Sequence, residues 1–126
     1  MGGVQDTELE KCEKIDQIIE IIKNRMKDYS IEKENIDIHF EHKTDIPSDN
    51  VVVLGRKNTL NEIRDTSSKI EKLYEKSIEN LTKYKNKISV SKAIKYMKKA
   101  CNYANERAIS DMKEVIDDFT KYCEDL

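Results

Sequence analysis

The residues best equipped for chemistry lie in the segment IDIHFEH, where Asp37, His39 and Glu41 alternate with Ile36, Ile38 and Phe40. On a strand this alternation sets carboxylate, imidazole and carboxylate in one row, able to hold a divalent cation or move a proton. His42 points to the other face in that geometry, and the sequence has no third histidine to complete a ligand set. A half-exposed strand shows the same pattern for purely structural reasons, so these residues are read as a solvated strand face and no metal site is assigned.

A second segment, VVVLGRKNT, reads as strand, glycine turn and helix start, the local geometry that cradles phosphates. It lacks the second glycine and the Lys-Ser/Thr pair of a phosphate loop, and the alternating strands and helices of a nucleotide-binding sheet are missing around it. Arg56 and Lys57 beside a helix N-terminus could hold an anion weakly, but an ordinary turn accounts for them. Nucleophilic catalysis has less support. Cys12 and Cys101 fall on apolar stripes, and Cys123 sits beside Glu124 and Asp125, whose charge raises a thiol pKa. No catalytic residue and no cofactor are expected.

The strongest local charge is a lysine run, Lys83, Lys85, Lys87, Lys92, Lys95, Lys98 and Lys99, with no acid among them and Tyr84, Tyr96 and Tyr103 interspersed. Charge neutralisation and stacking on such a surface suit single-stranded nucleic acid. A solvated helix face accounts for the run most simply, and an acidic protein surface or an intramolecular neighbour suits it as well, because the run is followed by a mostly acidic stretch from Asp111 to Asp125 and the whole chain is nearly neutral, at −2. Lys83, Lys85, Lys87, Lys92, Lys95, Tyr96, Lys98 and Lys99 therefore form the candidate interaction surface.

Helices must position these residues. Val90, Ile94, Met97, Cys101, Ala104, Ala108, Met112, Val115, Phe119, Tyr122 and Leu126 recur every three or four residues, a narrow apolar stripe that predicts one helix over about 91–125. The four-residue step repeated around Ala104 and Ala108 predicts a local unwinding of the seam. Cys12, Ile15, Ile19, Ile22, Met26 and Tyr29, widened by Ile18 and Ile21, predict a helix over about 7–29, with Thr7 and Glu10 at capping-box spacing. Thr59 and Glu62 repeat that spacing at the head of a helix over about 59–88, whose apolar side carries Ile63, Ile70, Tyr74, Leu81 and Tyr84. Ser89 and Ser91 are N-cap candidates that break it from the last helix. Between the first two helices, residues 36–42 and 50–55 predict a small β-hairpin; Ile36 and Phe40 are also four apart, so the first helix could instead continue through Phe40.

The expected fold is mainly α, an elongated three-helix antiparallel bundle or coiled coil with that hairpin between helices 1 and 2, in a single domain over 1–126. A chain of 126 residues that is 38% charged and 37% hydrophobic must give water a large share of every helix. No apolar run is long enough to span a bilayer, Asp6 stands where a myristoylation signal at Gly2 prefers Ser or Thr, and cysteines on packing stripes favour a reducing, cytoplasmic setting. The expected function is a nonenzymatic protein-interaction or assembly module acting through helical surfaces, by self-association or with a partner. A small immunity, antitoxin or secretion-partner protein with one cognate target is the first alternative, and a nucleic-acid binder using the Lys83 to Lys99 face is the second.

Overall fold

A computed structural model describes residues 8–41, 51–103 and 108–126. Four helices carry it: α1 (Ile15–Glu41), α2 (Val51–Lys83), α3 (Val90–Asn102) and α4 (Ile109–Glu124). They are preceded by a single helical turn at 8–11.

The long pair is antiparallel. Lys85, just past the end of α2, reaches Asp16 at the start of α1 at 2.7 Å, and Ser30 Oγ donates to Glu71 at 2.6 Å an equal number of residues further along each helix. The short helices close the other side: α1 packs chiefly on α2, α2 on α4, and α4 on α3, while α3 touches α1 lightly. The expected three-helix bundle is thus replaced by four helices, because the long C-terminal helix is two. α3 stops at Asn102 and α4 starts at Ile109, and the repeated four-residue step around Ala104 and Ala108 marks a break in the helix, not an unwinding of its seam. The turn lets the second half of the stripe fold back on the first, and Tyr96 of α3 meets Phe119 and Tyr122 of α4 at ring separations of 5.3 and 5.7 Å.

The β-hairpin is also corrected. Residues 36–41 and 51–55 are helical, none of the described residues is a strand, and the proline loop expected between the strands, along with residues 42 and 50, lies outside the described residues. The physical reason is cooperativity: extending a formed helix adds a hydrogen bond per residue, whereas a lone two-stranded hairpin is marginal in water. Ile36 and Phe40 satisfy helical spacing as well as strand spacing, and the helix takes them. Thr59 and Glu62 accordingly lie inside α2 and not at its start. The cap at Thr7 lies outside the described residues, and the first helix is interrupted over 12–14 before α1 begins. There the Glu13 N–H donates to the side-chain oxygen of Gln17 at 3.3 Å, across the break.

The end of α2 and the start of α3 follow the sequence closely. The chain turns through Tyr84 to Lys87, with Lys87 and Ile88 N–H both bonded to the Tyr84 carbonyl at 2.8 and 2.9 Å. Ser89 caps α3 by accepting from the Lys92 N–H. Ile88 before the cap and Ala93 four residues after it are both buried, the two positions of a hydrophobic staple.

The core runs through Leu9, Ile18 and Ile22, Ile70, Tyr74 and Leu81, Met97, and Met112, Ile116 and Phe119, each 2% exposed or less. One buried polar side chain is paired across helices. Asn80 of α2 donates to Thr120 Oγ1 at 2.7 Å, and Thr120 in turn donates to the Ile116 carbonyl.

Candidate functional site

The helical course of 36–41 dissolves the acid-imidazole-acid row. Two residues advance a helix by about 200°, so positions 37, 39 and 41 do not share one face. Among the described residues no group of three or more metal-ligating side chains converges. Arg56 and Lys57 likewise lie within α2, so the ordinary turn expected there is a helix instead, and the weaker anion-holding alternative loses its helix N-terminus.

The lysine run is split by the fold into two sets. One is used internally: Lys85 pairs with Asp16, Lys98 pairs with Glu10, and Lys83 lies 5.4 Å from the centroid of the neighbouring Tyr84 ring. These pairs join the α2–α3 corner and α3 itself to the start of the chain. Both are partly or largely exposed, so each is worth at most about 1 kcal/mol. The other set faces outward. Lys92, Lys95 and Lys99 share the exposed side of α3, opposite its buried Ala93, Met97, Ala100 and Cys101, and Lys87 is exposed in the preceding turn. Lys92 lies 6.0 Å from the Tyr122 ring centroid, a contact that holds its stem along α4. α3 contains no acidic residue.

The tyrosines do not join this surface as stacking platforms. Tyr84, Tyr96 and Tyr103 are half-buried and packed against the core. The candidate surface read from the sequence is therefore narrower than its eight residues, and Tyr96 belongs to packing.

The three cysteines are buried and no disulfide joins them. Cys123, in the last turn of α4, is fully enclosed between the helices. Burial pushes its thiol up to about 11, with Glu124 adding to the shift. Cys12 is raised by the same two causes, burial first and Glu8 second, and its Sγ donates to the Glu8 carbonyl. Neither thiol is poised to attack.

Two features had no signal in the apolar pattern. An open groove of about 350 Å³ lies between α2 and the first turn of α4, lined by Glu62, Asp65, Thr66, Lys69, Ile109 and Ser110. Its carboxylates face a helix start that lacks a side-chain cap, so they offset the positive end of the α4 dipole. The other is Arg25, only 6% exposed on the buried side of α1. Its guanidinium lies near the Tyr74 phenol. That phenol is driven well above its ordinary pKa by burial, then by the proximity of Cys101 and Tyr29, and Arg25 offsets only part of the shift. Arg25 follows Ile18 and Ile22 at helical spacing, which is the one sequence sign that it would be covered.

No family model, curated protein or solved structure matches the chain. No helix among the described residues is long and apolar enough to cross a membrane.

Proposed function

We propose that the chain is a nonenzymatic protein-interaction module that binds an acidic surface of a partner protein through Lys92, Lys95 and Lys99 of α3, extended by Lys87. The observation that carries this reading is the outward lysine stripe on a helix with no acid of its own, set beside internal lysines that already have partners. Holding unopposed like charges along one helix costs stability, and a partner carboxylate surface relieves that cost. A protein partner is favoured over nucleic acid because the tyrosines that stacking would need are packed into the core. It is favoured over self-association because the C-terminal stripe finds its packing partners within the chain. A single cognate partner, as an immunity or antitoxin protein would have, falls inside the same reading.

The test is retrieval of binding partners by the wild-type chain and by a Lys92→Glu, Lys95→Glu, Lys99→Glu variant, with circular dichroism melting of both. The expected result is a protein retained by the wild type and lost by the variant, whose melting is little changed. Retention of the same protein by the variant, or retention of nucleic acid alone with an affinity falling steeply with salt, sinks the proposal.

A further inference from the structure

Arg25 is a charged residue that the core encloses with no acidic partner among the described residues. Its Nε and Nη2 are both buried and have no hydrogen-bond partner. These two nitrogens are the ones on a single edge of the guanidinium, with parallel N–H bonds. That edge is the side-on fork that grips both oxygens of a carboxylate or phosphate. Its polar neighbour is the Tyr74 phenol, a neutral group, and among the described residues no acidic side chain pairs with the positive charge. A buried cation without an anion is strongly unfavourable, and native interiors avoid it.

The geometry points to an oxyanion site in which the side-on fork of Arg25 takes a carboxylate or phosphate group where α1 and α2 meet the C-terminal end of α3. Tyr29 and Tyr74, whose rings lie 6.0 Å apart, form its aromatic wall. Cys101 places the end of α3 over the same region, next to Tyr74. α3 is held mainly by α4 and only lightly by α1, so its C-terminal end is the element whose displacement admits an anion to the fork. The site is distinct from the lysine stripe, which occupies the outer side of α3 and binds by net charge. Arg25 binds by shape, since a bidentate fork distinguishes a two-oxygen acceptor from a spherical ion. The groove beside α4 does not compete for this role, because its lining includes two carboxylates and a single lysine.

The experiment follows the Arg25 side-chain Nε–H resonance of the wild-type chain by NMR, assigned by its loss in Arg25→Lys. Sodium phosphate and sodium acetate are titrated separately, with ionic strength held constant by sodium chloride. Saturable movement of that resonance is expected. Thermal unfolding should rise in parallel, by about 10 °C at a hundredfold excess over Kd for a domain of this size. A larger response to phosphate assigns the site to phosphate groups, and a larger response to acetate assigns it to carboxylates. Arg25→Met, which keeps the apolar stem, should match or exceed the wild-type Tm in chloride and lose the anion dependence. An Arg25 resonance unmoved by either anion overturns the site, as does an equal Tm gain in Arg25→Met. So does an Arg25→Met that melts lower in chloride while the wild type shows no anion response. The wild-type titration decides the matter even where a variant fails to fold.

Discussion

Asn80 shows how much one buried polar side chain can decide. It is 3% exposed, and its amide donates to Thr120, linking α2 to α4 through a hydroxyl that also bonds its own helix backbone. Asn80→Ala strands Thr120 from its cross-helix partner and leaves a small void, so a loss of about 1–3 kcal/mol is expected in urea unfolding. A double-mutant cycle with Thr120→Val should show that the two costs are not additive. Cys123 gives a second prediction at this scale, with a definite sign. Its thiol is raised from 9.0 to about 11, so the folded state holds the proton more tightly than the unfolded state. The stabilising effect of that preference is complete below pH 9 and is lost as pH rises towards 11. Relative to Cys123→Ala, the wild type should lose about 2–3 kcal/mol across that window, measured by chemical unfolding at each pH. The sequence pattern anticipates the raised pKa through the acids beside Cys123 but misses the larger cause, which is burial. Asn80, Ser77 and Arg25 were equally hidden, because a period of apolar residues is silent about polar ones that share the same buried side.

At the scale of elements, the strongest signals were those where several local preferences agreed. Ser89 caps α3, Ile88 and Ala93 occupy the staple positions, and the stripe that follows is buried at Met97 and Cys101. Ser89→Ala removes the acceptor for the Lys92 N–H. Because that bond is long, at 3.4 Å, the expected cost is at the low end of the capping range, about 0.5–1 kcal/mol, read as a small drop in Tm. The signals that misled were those with two solutions. Residues 36–40 fit both a period of two and a step of four, and only the helices on either side decide between them. The step at Ala104 and Ala108 fits a continuous helix, yet the chain between Asn102 and Ile109 connects two helices that pack on each other through Tyr96, Phe119 and Tyr122. A three-and-four spacing records which residues are buried. It does not record whether the helix carrying them is one or two, because a helical hairpin folded at small residues buries the same stripe.

The same ambiguity governs the whole molecule. As one long helix, the C-terminal stripe would expose an apolar seam that only a second chain could cover. As α3 and α4 its centre is closed from within, with Met97, Met112 and Phe119 each 0% exposed and Val90, Ile94 and Tyr122 half-buried against the same core. Among the described residues Leu126, at 45%, is the exposed large hydrophobic side chain, and a single such residue is no interface. Light scattering should therefore return the mass of one chain, 14.8 kDa, at every protein concentration and at both low and high salt. A dimer that persists on dilution and in high salt would mean that an apolar surface is being covered, and the closed hairpin would be the wrong description of the stripe. A dimer that dissociates with salt would mean that the Lys92, Lys95 and Lys99 stripe finds its acidic counterpart on a second copy, and Lys95→Glu with Lys99→Glu should then abolish it. Phe119→Ala separates closure from charge. It removes the ring that ties α4 to Tyr96 of α3, at a cost of about 3–5 kcal/mol against a typical domain stability of about 5–15 kcal/mol, and leaves every lysine in place. If closure of the hairpin is what keeps the chain monomeric, this substitution should lower Tm sharply and induce association that high salt fails to reverse.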